Sequence, residues 1–438
     1  MSKIKMNLTL TLNIPDQGLN VNGLLQGLNK SSGSIMLTLV NALFIAIEEK
    51  TIEELQEKNP NRYQRNGYQR PRTLRTSFGP MKYRFSKVRD KTKAKNILPL
   101  RDKLKIPQYR QYQDESMESA IGLSVHLSYQ RSKSEVDRIR GSAASRWTNR
   151  SRLFEFSDSQ CQFGDMKKIP YRFLMADETK VRLQGFKGKD LGQHPLCWAL
   201  ASTDTNKPFD IVGLWIDQSW ADNAKDLQER LDYKKLEVLF SDGDCDMIDA
   251  LLKPGMRLQR CVLHGKRDFP YILYADNLKK KEQKPFVDFL KSIPVMQFTK
   301  ADLEKLSDQD KSKIRKAIRK TKESFAELID RLDPKRYPRA RTYISNLSQA
   351  VTTFLELWLK NGEWTPFTTN RIENHFSQFK NRIKRIGRRW SDEGLLKWCM
   401  VMVCKMFYPN NWDLFWKHYL KINKPVSIVE QYVTFQWL

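Results

Sequence analysis

The stretch YRFLMADETKVRL, residues 171–183, decides the fold of the second half of this chain. Apolar residues on both sides of Asp177 predict a strand with one acid inside it. Two more strand patterns follow, HPLCWALAS at residues 194–202 and FDIVGLWI at residues 209–216, and then an amphipathic helix over residues 219–232. The first part of this region therefore predicts three consecutive strands and a helix.

Three further elements extend the pattern. LEVLFSD at residues 236–242 predicts a fourth strand, DMIDALL at residues 246–252 a short helix, and RLQRCVLH at residues 257–264 a fifth strand. The order β-β-β-α-β-α-β is an antiparallel meander followed by βα crossovers, which is the element order of the ribonuclease H-like fold. We therefore predict an α/β ribonuclease H-like core with a mixed five-stranded sheet, completed by a later helix.

Two acids occupy informative positions in these strands. Asp177 lies within the first strand, and Asp242 directly follows the fourth, in SDG. If these strands are neighbours, both carboxylates face one crevice at the carboxyl ends of the strands, where a pair of them would hold Mg²⁺. The alternative for Asp242 is simple turn chemistry. Asp244 and Asp246 are rival ligands or helix N-caps.

A third acid lies on a helix predicted over residues 368–389, TTNRIENHFSQFKNRIKRIGRR. Isoleucine and phenylalanine recur there at helical spacing and predict a buried stripe. Glu373 is beside that stripe in the first turn, and Lys380 and Lys384 extend its face at i+7 and i+11. Taken alone, Glu373 fits a favourable interaction with the helix dipole. Together with the other two acids it is a candidate metal ligand.

The net charge of +27 makes an acidic polymer, above all nucleic acid, the expected partner. Between Arg62 and Arg110 there are 16 Lys and Arg against two acids, with tyrosines interleaved. Here TSFGPMKYRFSKVRD predicts a turn at Gly79-Pro80 followed by an alternating strand. The alternative is a solvated basic linker. The basic side chains chosen as DNA contacts in this segment are Arg72, Arg75, Lys82 and Arg84.

The regions around the basic segment are predicted to be mostly helical. A short strand over residues 6–14 and a helix over about residues 34–58 precede it, and residues 114 to about 156 follow it. Within the latter, residues 128–154 have the proportions of a helix-turn-helix, with the turn at Gly141. A plain helical hairpin with a basic face is the open alternative.

The second helix of this candidate helix-turn-helix would be capped by Ser142 or Ser145. A helix that reads a DNA groove needs exposed polar side chains. Those expected on or near this helix are Arg146, Asn149, Arg150 and Arg152. We take Arg146 and Arg150 as its DNA contacts.

Two classes of protein are disfavoured by the sequence. The longest apolar run, residues 35–47, has 13 residues and contains Thr38 and Asn41, so it is too short and too polar to span a bilayer. No signal peptide is recognisable at the N-terminus. Six cysteines show no CxxC and no framework spacing, which argues against a disulfide scaffold. We expect a protein used inside a cell, without a membrane partner.

These motifs together resemble the Mutator-type DDE transposases of prokaryotic insertion sequences. The matching pieces are ADETKVRL, the SDG after the fourth strand, CVLH, and NRIENHFSQFKNRIKRIGRRWS. CVLH contains Cys261 and His264 in a CxxH arrangement, which is the hallmark of that group. The resemblance covers residues 170–407 and is diffuse upstream.

The resemblance implies that Asp177, Asp242 and Glu373 form the DDE triad and bind two Mg²⁺, for which Mn²⁺ may substitute. The implied activity is metal-dependent cleavage of DNA at transposon ends and strand transfer into target DNA. The implied partners are double-stranded terminal repeats and target DNA, and a second copy of the chain in a homodimer or larger assembly. A prokaryotic, cytoplasmic, nucleoid-associated location follows.

Several residues near these motifs have two readings. Cys261 and His264 either pack under the site or help to position a DNA strand. Trp358 and Trp364 either stack on an extruded base or pack in a core. The remaining candidates for phosphate contacts are His375, Arg388, Arg389 and Trp390.

Two rival functions stay open at this point. One is a ribonuclease H-like, structure-specific DNA endonuclease, and the other is a catalytically silent, transposase-derived DNA-binding protein. The predicted regions are 1–60 (strand and helix, a candidate for oligomerisation), 61–112 (basic), 113–165 (helix-turn-helix-like), 166–268 (first part of the core), 269–365 (helical insertion), 366–410 (last core helices) and 411–438 (tail).

Overall fold

The fold is described from a computed structural model of the chain. It describes residues 7, 21–106, 108, 114–140, 143–186, 194–205, 207–299, 301–302, 306–385, 390–408, 412–414, 416–417 and 420. Two compact units result: unit 1 comprises Met1–Gln160 with Cys404–Leu438, and unit 2 comprises Cys161–Val403. The strand expected at residues 6–14 and most of the predicted tail lie outside the described residues.

Unit 1 combines one long helix, five strands and four shorter helices. Its strands form a three-stranded sheet of order β1-β4-β5 and a β2–β3 hairpin. The elements are α1 (Val21–Lys58), β1 (Tyr63–Tyr68), β2 (Arg72–Thr76), β3 (Gly79–Tyr83), β4 (Ser86–Asp90), β5 (Lys95–Ile97), α2 (Pro99–Lys103), α3 (Asp114–Ser124), α4 (Tyr129–Arg140) and α5 (Arg146–Gln160).

The basic segment folds into strands, so the alternative of a solvated linker is wrong for its described residues. The turn is also two residues earlier than predicted. Thr76 pairs with Gly79, which makes Ser77 and Phe78 the two turn residues. The Thr76 hydroxyl stabilises this turn by accepting a hydrogen bond from the Phe78 N–H at 3.1 Å. From Gly79 onward β3 alternates between buried and exposed residues, as predicted.

Helix α1 begins earlier than predicted, at Val21, and by length and composition its residues 25–58 are apolar enough to cross a membrane. Its second half nevertheless packs on the core of unit 1 through Leu37, Val40, Phe44 and Ile47. Glu48 fixes that contact. Its buried carboxylate accepts hydrogen bonds from the Tyr83 hydroxyl at 3.0 Å and from the Ser86 N–H and hydroxyl at 3.0 and 2.8 Å.

Helices α3, α4 and α5 pack against one another, and Ser145 caps α5 by accepting a hydrogen bond from the Thr148 N–H at 3.1 Å. Gly141 and Ser142 lie outside the described residues. The exposure expected for Asn149 is wrong, because its side chain is fully buried. Asn149 lies on the buried face of α5, and Arg146 lies on its exposed side.

Unit 2 is built on one mixed sheet of five strands, which confirms the predicted mixed α/β class. The strand order is β10-β9-β6-β7-β8, with β6, β7 and β8 antiparallel and with β9 parallel to both β6 and β10. The elements are β6 (Phe173–Val181), β7 (His194–Ser202), β8 (Asp210–Ile216), α6 (Trp220–Arg230), β9 (Val238–Ser241), α7 (Cys245–Leu251) and β10 (Arg257–Arg260).

The rest of unit 2 is helical in its described residues. The strand predicted over residues 257–264 ends at Arg260, and a helix begins at Val262. The helices are α8 (Val262–Ala275), α9 (Lys280–Ser292), α10 (Pro294–Gln297), α11 (Lys311–Arg331), α12 (Pro338–Ala350), α13 (Thr353–Asn361), α14 (Asn370–Arg385) and α15 (Asp392–Met406).

The helices between α8 and α13 share a hydrophobic core of their own, which contains Phe269, Phe325, Leu347 and Phe354. Trp358 belongs to it and stacks on Trp364 with ring centroids 5.1 Å apart. Trp358 is therefore a core residue, and the alternative prediction that its ring stacks on an extruded base is wrong.

Replacing Glu48 by Ala should destabilise unit 1, because two hydroxyls and one N–H would lose their buried acceptor. We expect the free energy of unfolding to fall by about 2–4 kcal/mol. Glu49→Ala is the matched control. The Glu49 carboxylate is 44 % exposed and pairs with Arg65, so its loss should cost less than about 1 kcal/mol. Urea unfolding of the full chain measures both; equal losses would show that α1 does not depend on Glu48.

Candidate active site

Asp177 and Asp242 lie at the same edge of the unit 2 sheet. In the parallel β6–β9 ladder, Met175 pairs with Phe240, and each acid lies two residues further along its own strand direction. Asp177 is buried and Asp242 is half-buried. The two acids therefore lie on adjacent parallel strands, Asp177 within β6 and Asp242 directly after β9.

Asp177 also faces the helix that carries the third acid. It pairs with Trp198 across the antiparallel β6–β7 ladder, and directly opposite residues point to the same face of a sheet. The Trp198 ring packs edge-on against Phe379 of α14 with centroids 4.4 Å apart. Phe376 and Phe379 belong to the buried stripe predicted for this helix. The α14 face of the sheet is therefore the face on which Asp177 lies.

The pKa of the Asp177 carboxyl depends on both of the other acids. Burial, together with the neighbouring charges of Asp242 and Glu373, raises the pKa of its carboxyl to about 7. The Glu178 N–H, which donates to Asp177 Oδ1 at 2.7 Å, and the nearby His264 oppose this shift. A buried carboxyl beside two others is unfavourable when ionised, and a cation would relieve that cost.

Glu373 lies in the first turn of α14 and is held by two cationic side chains of α8. Its Oε1 atom is 3.2 Å from His264 Nε2 and 3.8 Å from Arg267 Nη1. Its side chain is 36 % exposed, so it remains accessible from solvent. Glu373 is thus fixed at the edge of the crevice.

The CxxH residues are buried and connect the parts of the site. The Cys261 N–H donates to the Ser241 carbonyl at 2.9 Å, immediately before Asp242. Its Sγ accepts hydrogen bonds from the N–H groups of His264, at 3.5 Å, and Thr369, at 3.4 Å. The other nitrogen of the His264 ring, Nδ1, is 3.2 Å from the Thr369 hydroxyl. The two residues therefore pack under the site, which is one of the two predicted readings.

This pairing also changes the pKa values of both groups. Burial lowers the pKa of His264, but the hydrogen bond and charge of Cys261 outweigh it and raise the pKa overall. For the Cys261 thiol, burial acts to raise the pKa, and hydrogen bonds from His264 and Thr369 outweigh it, so the pKa is lowered. Each group therefore favours the charged form of the other.

The sequence reasoning missed two arginines of this site. The buried Arg260 donates from Nη2 to the Asp242 carbonyl at 3.2 Å. A Cβ on Gly243, whose φ is +116°, would lie 1.8 Å from that Nη2, which explains the glycine of SDG. The sequence did not indicate Arg267 as a site residue, because the pattern of residues 257–264 predicts one strand and not the start of a helix. A helix beginning at Val262 would have placed Arg267 one turn after His264.

The donor set of the site suits a hard divalent cation. Asp177, Asp242 and Glu373 offer carboxylate oxygens, which Mg²⁺ and Mn²⁺ prefer. Within the residues that the structure describes, no group of three or more His, Cys, Asp or Glu side chains is already gathered closely enough to hold a metal ion. Asp244 is an N-cap that accepts from the Met247 N–H at 3.0 Å, and Asp246 is exposed.

The predicted DNA contacts fall into three groups by exposure. The exposed ones are Lys82, Arg84 and Arg146. Half-buried ones are Arg72, Arg75, Arg150 and Lys380, of which Arg150 lies over the Phe154 ring and Lys380 over the Phe376 ring. The side chain of Lys384 is not among those described, and Arg388 and Arg389 lie outside the described residues. Trp390 is half-buried, and burial lowers the pKa of the half-buried His375.

Fold and site together define a mixed α/β protein with acidic side chains on and after two adjacent parallel strands. A family model described as an uncharacterised protein family (UPF0236) matches residues 14–195. That segment is less than half of the chain; it includes Asp177 and ends before Asp242 and Glu373. No curated protein matches the chain.

Among solved structures, the chain is similar to the Drosophila P element transposase strand transfer complex. The similarity covers 68 % of this chain and 93 % of that chain, at 11 % sequence identity and a TM-score of 0.36.

Replacing Asp177 by Asn should stabilise the metal-free protein at pH 8, because a buried negative charge is removed. Since folding raises the pKa of Asp177 from 3.8 to about 7, the folded state binds the proton more tightly. The free energy of unfolding therefore falls as the pH rises through this range. We expect the variant's Tm in EDTA to exceed that of wild type by several degrees at pH 8, at about 3 °C per kcal/mol.

At pH 5 the carboxyl is neutral in the folded protein but mostly ionised in the unfolded chain, so the difference in Tm should be smaller than at pH 8 and should vanish only below pH 3.8. The matched control is Asp246→Asn, which alters an exposed acid. Differential scanning calorimetry of wild type and both variants at the two pH values measures these differences in Tm. A Tm difference that is independent of pH would contradict the raised pKa.

Proposed function

We propose that this chain is a DNA transposase of the Mutator-type DDE group, with a ribonuclease H-like catalytic core in unit 2. The observation that carries the proposal is the convergence of three acids. Asp177 lies within β6, Asp242 directly follows the adjacent parallel strand β9, and Glu373 influences the pKa of Asp177 from the helix packed on that face of the sheet. Paired carboxylates in this position suit phosphoryl transfer.

The topology of the sheet supports the same proposal. In chain order its strands lie as 3-2-1-4-5, with the first three antiparallel and the last two parallel to the first. This is the arrangement that a meander followed by two βα crossovers produces in the ribonuclease H-like fold. The long helical region between Asp242 and Glu373 fits the insertion of the Mutator group.

Each residue of the site would have a distinct task. Asp177, Asp242 and Glu373 would hold two Mg²⁺ or Mn²⁺, which when bound activate the attacking oxygen and stabilise charge on the phosphate. His264 and Arg267 hold Glu373 in place, and Arg260 holds the backbone after β9. Asp177 itself is buried. Positioning of this kind is most of what phosphoryl transfer needs from a protein.

The reaction would occur in two displacements at phosphorus. First, water attacks the phosphodiester at the transposon end, and the bond to the 3′-oxygen breaks to leave a free 3′-hydroxyl. Next, that hydroxyl attacks a phosphodiester of the target strand, and a second 3′-oxygen leaves. Neither step requires a covalent intermediate with the protein.

Unit 1 would provide much of the binding to double-stranded DNA. Lys82 and Arg84 are exposed on or next to β3, and Arg146 is exposed at the start of α5. The overall charge of +27 favours binding that weakens as salt increases. As a transposase the chain would pair two transposon ends, so a homodimer or larger assembly acting on nucleoid DNA in a prokaryotic cytoplasm is part of the proposal.

Replacing Asp242 by Ala should abolish Mg²⁺-dependent cleavage of DNA that carries the flanking terminal repeats, and should leave DNA affinity within about twofold. The reason is that the variant removes a proposed metal ligand without altering the basic surface. Glu373→Gln should behave alike. Asp246→Ala changes an exposed acid only four residues from Asp242 and should cleave like wild type.

Gel-based cleavage and strand-transfer assays, together with fluorescence anisotropy for binding, give the readouts. Loss of binding in parallel with cleavage would contradict the assignment of Asp242. Cleavage without strand transfer would favour the endonuclease. Intact binding without any metal-dependent cleavage by wild type would favour a silent DNA-binding protein.

A further inference from the structure

Helix α8 has one buried face and one face that nothing in the described part of unit 2 covers. Phe269 and Leu273 pack into the helical core on the buried face. On the opposite face Leu263 is 41 % exposed, and Tyr271 and Tyr274 are both 71 % exposed. The Arg267 side chain, at 58 % exposure, lies between them. At 100° per residue these four side chains form a single stripe.

This exposure is concentrated on one helix. The described residues of unit 2 include five large hydrophobic side chains that are more than a third exposed, and three of them belong to the stripe. The other two are Ile169 and Phe186. Neither tyrosine ring contacts another aromatic ring or a cation among the described residues, and neither hydroxyl makes a hydrogen bond there. Two amphipathic rings are thus presented to solvent side by side.

The stripe leads directly away from the candidate active site. Arg267 Nη1 is 3.8 Å from Glu373 Oε1, and Tyr274 lies about 10 Å further along the helix axis, at 1.5 Å per residue. Beyond the end of α8 come Lys279, Lys280 and Lys281, all exposed. Two acids lie nearby: Asp268 accepts a hydrogen bond from Arg267 Nε at 2.9 Å, and Asp276 accepts one from the Ala340 N–H at 2.8 Å.

We propose that the exposed face of α8, formed by Leu263, Arg267, Tyr271 and Tyr274, binds the unpaired DNA strand that leaves the active site. Arg267 contacts a phosphate next to the cut, the two tyrosines stack on successive unpaired bases, and the lysines after the helix follow the backbone. Its location relative to the cut rests on the proposed function.

Three features favour a nucleic-acid strand over a second copy of this chain as the occupant. The stripe has a guanidinium at its centre and a lysine cluster at its end, and a second copy with a charge of +27 would be repelled there. Its width is that of one helix face, which suits a single strand. Exposed aromatic rings beside basic side chains are the usual means of binding single strands without sequence preference.

The test uses the full chain with Asp242→Ala, so that DNA stays uncut and binding is read independently of catalysis. Fluorescence anisotropy compares a blunt duplex with the same duplex carrying a single-stranded overhang of six nucleotides. Tyr271→Ala with Tyr274→Ala should weaken binding to the overhang duplex by at least about tenfold. Binding to the blunt duplex should change by less than about twofold.

Two controls separate stacking from other effects. Tyr271→Phe with Tyr274→Phe keeps both rings and should retain affinity for the overhang duplex. Ile169→Ala removes an exposed apolar side chain of the same unit and should have no effect. Thermal melts of all variants should coincide, because the altered rings are exposed.

Equal weakening on both duplexes, or unchanged affinity for the overhang duplex, would overturn the proposal. So would a change in oligomeric state in light scattering with unchanged DNA affinity, which would assign the face to a second copy. Since cleavage plays no part in these measurements, a failure of the proposed catalytic function would leave their outcome readable.

Discussion

The repulsion between the carboxylates of Asp177, within β6, and Asp242, directly after β9, is the constraint on which the rest of unit 2 depends. The parallel pairing that builds the sheet core also brings Asp177 beside Asp242, and burial raises the pKa of Asp177 to about 7. A sheet edge of this kind is destabilising at neutral pH unless a proton or a cation compensates it. Its presence in an otherwise apolar sheet is best explained by function.

Hydrogen bonds at Cys261 and His264 determine where the third acid lies. More than a hundred residues separate Cys261 from Thr369, yet the Thr369 N–H donates to the Cys261 sulfur and the Cys261 N–H donates to Ser241. The start of α14 is therefore tied to the strand that leads into Asp242. His264 completes this link by contacting Glu373. The helical region between α8 and α14 has a hydrophobic core of its own.

The order and type of the core elements could be predicted from sequence because their apolar patterns are strong and local. The strand that carries Asp177, the strand before Asp242 and the helix that carries Glu373 followed from those patterns. Boundaries that depend on tertiary contacts could not be predicted. The helix at Val262 was missed because its N-cap is Cys261, a residue type that seldom caps helices, so that RLQRCVLH resembles one strand. Asn149 is buried because packing, which single-sequence patterns do not show, selects the face of α5.

The same reasoning explains why charge counting gave only part of the basic surface. Between Arg62 and Arg110, strand alternation exposes Lys82 and Arg84 and half-buries Arg72 and Arg75, a distinction that requires the hairpin register. Arg260 and Arg267 act within unit 2 as neighbours of Asp242 and Glu373. The positive charge thus includes side chains that hold the acidic site as well as side chains that face solvent.

The most direct test of the central claim is the anomalous X-ray scattering of Mn²⁺ in crystals of the full chain grown with that ion. We predict an anomalous difference peak between the carboxylates of Asp177 and Asp242, which disappears in crystals of Asp242→Ala. Absence of any peak at these carboxylates at saturating Mn²⁺, or a peak bound only elsewhere in the chain, would contradict the account.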